Sequence, residues 1–138
     1  MTELDLAYAT ILRRHVSAET AFDMEATLAT LTPDCLFEDV PLNESHRGRD
    51  AVRHYYSEWW DAFGNVPTKS RRYVAAGDTL IVETRFVGKH VGRYRGIAPT
   101  GRDIDLPVAI FISFREGLMA GERFYYDRST LLSQIGAA

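Results

Sequence analysis

The sequence predicts an α+β fold, in which helices come first and cover one face of a curved antiparallel sheet. Apolar residues recur at helical spacing in the first half, whereas the second half carries short runs rich in Val, Ile, Phe and Tyr between turns. The length of 138 residues suits one compact core. Residues 1–138 are therefore expected to form a single domain.

Two helices are predicted at the start of the chain. Apolar positions at helical spacing predict the first from Leu4 to His15. The second is predicted to begin at a cap on Ser17 or Thr20 and to end at Thr32-Pro33, because proline disfavours helix in the residue before it.

A strand and a third helix follow. Cys35–Val40 is typical of a short strand. The third helix is predicted to begin after Gly48 and to end at Gly64-Asn65, a pair common at helix C-termini. Its apolar positions are mostly aromatic.

Four strands are predicted in the second half: Lys69–Ala76, Thr79–His90, Asp105–Arg115 and Met119–Asp127. Turns with glycine separate them, so an antiparallel meander is expected, and a last helix follows Asp127. A bent sheet closed by helices leaves a cone-shaped cavity, and function is expected there.

Composition and charge exclude several classes of partner. The net charge is −3, and the one basic run, Lys69 to Arg72, is short, so nucleic acid is not an expected partner. The opening MTELDLAYAT lacks the pattern of a signal peptide, and no segment has the ~18 apolar residues of a membrane span. Cys35 is the only cysteine, which favours a reducing, cytoplasmic setting.

No cofactor or metal is expected either. Gly92, Gly96 and Gly101 do not open a helix after a strand, as a phosphate-binding loop would. No pair of histidines and no histidine–carboxylate set has the spacing of a metal site. The sequence therefore predicts cofactor-free chemistry.

Two segments resemble known proteins. MEATLATLTPDCLFEDVPLNESHRGRDAVRHYY, residues 24–56, resembles the ketosteroid-isomerase branch of the nuclear transport factor two-like superfamily, with its pattern VEDP…GR..I..FY. Residues 88–136, from GKHVG through FYYDRSTLLSQIG, are similar to SnoaL-like polyketide cyclases. The resemblance implies a nuclear transport factor two-like, or cystatin-like, cone and a cofactor-independent enzyme.

The isomerase resemblance implies a proton-shuttling base at Asp39, the second carboxylate of FED. The two positions that form the isomerase's oxyanion hole are occupied here by His15 and Ile110. Neither donor of that hole is kept, so steroid isomerisation by the known route is not expected.

The cyclase resemblance implies that Asp127 is the acid or base of an intramolecular aldol closure. His90, in GKHVG, matches the cyclase pattern and would orient a carbonyl oxygen. Asp39 and Asp127 together would also supply the paired carboxylates that epoxide-opening members of the fold need.

Each candidate has a structural alternative. Asp127 precedes a helix and is a good N-cap. Of Asp39 and Glu38, only one can face the cavity, because neighbouring strand residues point to opposite faces. His15 closes the predicted first helix, where a positive charge stabilises the helix C-terminus. His90 is equally well interpreted as a strand histidine with its hydrogen bonds satisfied. Five residues are expected to bind substrate: Tyr8, Tyr55, Trp59, Ile110 and Tyr125. In the alternative interpretation, some of them are ordinary core residues.

The sequence thus predicts a proton-transfer enzyme acting on an apolar or polycyclic, carbonyl-bearing small molecule. Asp127 is the expected acid or base, Asp39 and His15 share the proton, and His90 polarises oxygen. An epoxide hydrolase or cyclase, and a non-catalytic ligand-binding protein of the same fold, remain alternatives. The resemblance also implies a homodimer, because members of this fold usually pair through the outer face of the sheet. The apolar strands 79–90 and 105–115 leave enough hydrophobic surface for both the cavity and a partner.

Overall fold

The computed structural model describes residues 5–64 and 72–137. These residues form four helices and six strands, with helices first and most strands afterwards, which confirms the α+β class. In chain order the elements are α1 (Leu6–Thr20), α2 (Met24–Ala29), β1 (Leu31–Asp39), β2 (Glu44–Arg47), α3 (Arg49–Phe63), β3 (Arg72–Ala76), β4 (Thr79–Lys89), β5 (Asp103–Arg115), β6 (Leu118–Tyr126) and α4 (Arg128–Gln134).

The six strands form one sheet in the order β2-β1-β6-β5-β4-β3. The meander from β3 to β6 is antiparallel, as predicted. The first strand, β1, pairs antiparallel with β2 but parallel with β6, so the sheet as a whole is mixed. Periodicity identifies a strand but not its partner, and this parallel pair joins segments that are far apart in the chain.

The boundary between the first two helices differs from the prediction. Ser17 and Thr20 lie inside α1, which continues to Thr20. The break comes at Phe22, whose φ is 56°, and Asp23 caps α2 by accepting a hydrogen bond from Ala26 N at 3.0 Å. A carboxylate at the N-cap satisfies an otherwise unpaired amide of the new helix.

Helix α2 also ends earlier than predicted. It stops at Ala29, and β1 then runs through Thr32-Pro33. The pairing of β1 with β6 is irregular between Leu31 and Leu36, and proline is tolerated in a strand at such a bulge because it has no N–H to donate.

The remaining elements agree closely with the prediction. Helix α3 ends at Phe63 before Gly64, whose φ of 69° suits glycine. Strand β2 was not predicted, because its four residues ESHR are polar. Asn65 and the first three residues, 69–71, of the predicted strand Lys69–Ala76 lie outside the described residues.

The helices and the sheet enclose one core. On β5, residues alternate strictly between buried and more exposed, and the buried set packs under α1 and α3. At the join of β1 and β6, a Cβ on Gly121 would lie 2.1 Å from the carbonyl oxygen of Leu36. Only glycine permits this close approach.

Among the described residues, no helix is both long enough and apolar enough to cross a lipid bilayer.

Candidate active site

A cavity of about 140 Å³ lies between helices α1 and α3 and the inner face of the sheet. Its walls are mainly aliphatic and aromatic, and its charged groups come from α1 and β6. The lining residues are Leu12, His15, Val16, Glu19, Thr20, Tyr55, Tyr56, Trp59, Trp60, Tyr73, Val82, Thr84, Phe86, Ile110, Ile112, Glu122 and Phe124.

The last turns of α1 place His15 in the cavity wall, where only 1% of its surface is exposed. Its Nδ1 lies 2.7 Å from the hydroxyl oxygen of Thr30. That hydroxyl donates its own proton to the carbonyl of Thr27 at 2.6 Å. Thr30 can therefore only accept from the ring, which means that Nδ1 carries a proton.

The other ring nitrogen joins a chain of proton carriers. Nε2 of His15 lies 3.0 Å from the Tyr56 hydroxyl, which donates to Glu19 Oε2 at 2.9 Å. Because a hydroxyl has one proton, this pattern makes Nε2 a donor and His15 an imidazolium beside an ionised Glu19. Passing the proton through Tyr56 yields neutral imidazole and a carboxylic acid instead.

A second carboxylate faces the same histidine from the sheet. Glu122 Oε1, on β6, lies 3.9 Å from His15 Nε2, and the Glu122 side chain is 8% exposed. Burial by itself lowers the pKa of His15, but the nearby charges of Glu19 and Glu122 outweigh it and raise the pKa above the usual 6.5. The two carboxylates thus favour the imidazolium over the neutral ring.

Tyr56 remains protonated in this cluster. Burial raises its pKa well above the usual value, and the charges of Glu19 and Glu122 raise it further. The hydroxyl therefore acts as a neutral bridge. We call His15, Glu19, Tyr56 and Glu122 the acid–base cluster.

Asp39 is fully buried, and its carboxylate is held by three donors. The Tyr55 hydroxyl donates at 2.7 Å, that of Tyr126 at 2.8 Å, and the Leu42 amide at 3.2 Å. As alternation predicts, its neighbour Glu38 lies on the opposite face, in a groove of the outer sheet. Asp39 does not line the cavity itself, but it fixes Tyr55, which does.

Asp127 lies outside the cavity, contrary to expectation. It is exposed, and its carboxylate accepts hydrogen bonds from Ser129 N at 3.1 Å and the Thr130 hydroxyl at 2.8 Å. The unpaired amides at the start of α4 hold this side chain, so the structural alternative, an N-cap, describes its position. Asp39 and Asp127 therefore form no carboxylate pair within the cavity.

His90 is also placed elsewhere. It is fully buried against Phe63, with ring centroids 5.5 Å apart, and its Nδ1 accepts from the Thr100 amide at 3.2 Å. It does not line the cavity, so the expectation that it faces substrate is wrong. As for Asp127, a hydrogen bond to a backbone amide, here that of Thr100, orients the His90 side chain.

Of the five residues expected to bind substrate, Tyr55, Trp59 and Ile110 line the cavity. Tyr8 instead stacks on Phe114 in the core, with ring centroids 4.7 Å apart. Tyr125 lies on the outer face of the sheet and is 41% exposed. The alternation of β6 explains this, because Phe124 takes the inward position.

Glu19, Tyr56 and Glu122 were not among the predicted site residues, although the sequence contains a sign of each. Glu19 lies one helical turn after His15, so both share a face of α1. Tyr56 belongs to the aromatic face of α3. Glu122 lies two residues before inward-facing Phe124 and therefore shares its face.

Within the described residues, no three His, Cys, Asp or Glu side chains are arranged to hold a metal ion.

Comparison with known proteins agrees with this architecture. The family model of SnoaL-like polyketide cyclases matches residues 9–135, whereas no curated protein matches the chain. A structure from Jannaschia sp. CCS1, described as a SnoaL-like polyketide cyclase, has a TM-score of 0.87 at 16% identity, covering 100% of this chain and 97% of the other.

Two further solved structures extend the comparison. A protein of nuclear transport factor two-like fold from Burkholderia xenovorans LB400 has a TM-score of 0.78 at 18% identity, covering 98% of this chain and all of the other. A protein of ketosteroid isomerase-like fold from Catenulispora acidiphila DSM 44928, solved with trimethylamine, has a TM-score of 0.77 at 20% identity, covering 93% of each. At these identities the likeness shows the fold, which is the predicted one.

Proposed function

Because the chain belongs to the SnoaL-like polyketide cyclase family, we propose that it is a cofactor-independent enzyme that moves a proton on an apolar, carbonyl-bearing small molecule. The observation that carries this proposal is the acid–base cluster, which lies in an otherwise apolar and aromatic cavity. Proton carriers within a few ångströms of each other suit general acid–base catalysis, and three of these four, His15, Tyr56 and Glu122, are buried.

The cluster supports an intramolecular aldol closure. The Glu122 carboxylate takes the proton from a carbon beside a carbonyl, and the electron pair of that C–H bond forms an enolate. In this step the Tyr56 hydroxyl turns its one proton from Glu19 to the enolate oxygen, while it continues to accept from the His15 imidazolium. The enolate carbon then attacks a second carbonyl of the same molecule, and the new alkoxide takes the proton back from Glu122. The enzyme ends in its starting state.

The surroundings favour each step. The low dielectric of the cavity strengthens the interaction between the imidazolium and a developing negative charge. Trp59 and Trp60 on α3, with Tyr55, offer flat faces against which a polycyclic substrate stacks. Epoxide opening is less well supported, because Asp127 is exposed and does not pair with Asp39.

Proton transfer can be tested without the natural substrate. We expect the protein to accelerate exchange of the α-protons of 1-tetralone, an apolar bicyclic ketone, for deuterium in D₂O, as followed by proton NMR. Glu122→Gln should lower that acceleration by ~10²–10⁴-fold, as loss of a positioned base does. Asp127→Asn, at the exposed cap, is the matched carboxylate control and should exchange at the wild-type rate.

The outcome separates the candidate functions. Acceleration that survives Glu122→Gln in a protein with wild-type circular dichroism would refute the assigned base. Binding of 1-tetralone without any acceleration over buffer would favour the ligand-binding alternative.

A homodimer through the outer face of the sheet belongs to the same proposal. On that face Arg123 lies over the rings of Phe111 and Tyr125, at 5.1 and 5.8 Å from their centroids. This exposed aromatic surface is suited to a second copy. Gel filtration should give twice the monomer mass, and Phe111→Glu should halve it, whereas a wild-type species of 15.6 kDa would refute the dimer.

A further inference from the structure

Strand β4 contributes one polar side chain to an apolar stretch of cavity wall. Three of its inward positions, Val82, Thr84 and Phe86, line the cavity. Thr84 is 5% exposed. Its hydroxyl oxygen is buried and has no hydrogen-bond partner among residues 5–64 and 72–137.

An unpaired buried hydroxyl is unfavourable in the free protein. Moving a hydroxyl out of water without a new hydrogen bond costs free energy, whereas valine has nearly the same shape and a high preference for strands. Valine is therefore the residue that stability alone favours at position 84. Because Thr84 lines the cavity, its hydroxyl has a use once a ligand supplies the missing partner.

The register of the sheet places Thr84 far from the acid–base cluster. Thr84 lies opposite Val108, which lies opposite Tyr126, and Glu122 comes four residues earlier on β6. With strands ~4.8 Å apart and a rise of ~3.3 Å per residue, the Cα atoms of Thr84 and Glu122 are about 16 Å apart along the sheet. The two polar positions thus lie well apart on the inner sheet face, on strands separated by β5.

We propose that the Thr84 hydroxyl binds a second oxygen of the substrate, at the end remote from the reacting carbonyl. The substrate class is then a molecule of two or more fused rings with an oxygen function at each end. A threonine hydroxyl both donates and accepts, so it pairs with either a carbonyl or a hydroxyl group. The inference rests on the proposed function for the first oxygen, which the acid–base cluster binds.

Two probes and two variants test it. The probes are 2,6-dihydroxynaphthalene and 2-hydroxynaphthalene, which differ only in the second terminal hydroxyl, with dissociation constants measured by quenching of Trp59 and Trp60 fluorescence. Wild type should bind the diol about tenfold more tightly, because the diol adds one hydrogen bond. This effect exceeds the statistical factor of about two that arises because the symmetric diol can bind in two equivalent orientations. Thr84→Val should abolish this preference, and Thr84→Ser should retain it.

Thermal unfolding of the ligand-free proteins provides the second measurement. Thr84→Val should unfold at the same temperature as wild type or higher, because it removes an unpaired buried hydroxyl. A lower temperature would show that the hydroxyl has a structural partner and would overturn the proposal. An undiminished diol preference in Thr84→Val, or no binding of either probe to wild type, would overturn it as well.

The design also separates this inference from the proposed function. Binding of the naphthols requires no proton transfer. If wild type shows the diol preference and Thr84→Val loses it, while 1-tetralone exchange is never accelerated, Thr84 stands as a ligand-binding residue and the enzymatic proposal fails.

Discussion

Tyr56→Phe removes the hydroxyl that bridges His15 and Glu19, and leaves the ring in place. The Tyr56 hydroxyl makes two hydrogen bonds, at 3.0 and 2.9 Å, and below the pKa of His15 both partners are charged. Hydrogen bonds to charged groups contribute about 1.5–3 kcal/mol each. The free energy of unfolding at pH 5 should therefore fall by about 3–5 kcal/mol.

The same substitution should cost less at alkaline pH. The folded pKa of His15 is raised above 6.5, so the stability it contributes is fully present below 6.5 and is lost as pH rises through the folded pKa. Above that pKa the imidazole is neutral, and Tyr56 retains one charged partner, Glu19. The loss of unfolding free energy at pH 9 should be about half of that at pH 5.

Urea unfolding followed by circular dichroism at both pH values measures this difference. Tyr55→Phe is the matched control, since it removes a hydroxyl from the same helix, but one that donates to Asp39. Its cost should not change with the protonation of His15. A loss from Tyr56→Phe that is equal at pH 5 and pH 9, or larger at pH 9, would refute the assignment of an imidazolium to His15.

Three further predictions concern the proton, the cap and the sheet. The rate of 1-tetralone exchange, corrected for the buffer reaction, should fall as pH rises through the raised pKa of His15. If the rate of the His15→Gln variant falls over the same pH range as that of wild type, this prediction is contradicted. Asp127→Ala should lower the free energy of unfolding in urea by about 1 kcal/mol, the usual contribution of an N-cap. The variant should catalyse 1-tetralone exchange at the wild-type rate. Slower exchange by the folded variant would indicate that Asp127 takes part in proton transfer. Gly121→Ala should lower the free energy of unfolding by more than about 3 kcal/mol, because its Cβ meets the Leu36 carbonyl at 2.1 Å; Ala120→Ser next to it should cost under about 1 kcal/mol, and equal costs would contradict the close approach.

The sequence was sufficient for the fold class because local pattern determines most of its elements. Helical spacing identified α1 and α3, and runs rich in Val, Ile, Phe and Tyr between turns identified β4, β5 and β6. The pairing of β1 with β6 was beyond that reasoning, since a parallel pair between distant segments leaves no local pattern. Gly121 allows that pairing through a close backbone approach, which is visible only in three dimensions.

The site was predicted only in part, for a similar reason. His15 was found through the isomerase resemblance, and Tyr55 through the helical spacing of the aromatic residues of α3. Asp127 was misplaced because a carboxylate between a strand and a helix serves equally well as a cap or as a cavity acid, and the amides of α4 decide between them. Glu122 was overlooked although its face follows from Phe124, because a lone glutamate in a strand gives no local sign of the histidine it meets.

The parallel junction of β1 with β6 also determines when the acid–base cluster can assemble. His15 and Tyr56 belong to the first half of the chain, but Glu122 arrives only when the last strand docks beside Leu36 and Phe37. Closing so long a loop is entropically slow compared with forming local helices and hairpins. During synthesis on the ribosome, a nascent chain can form most of its secondary structure while the acid–base cluster stays unassembled until β6 has emerged.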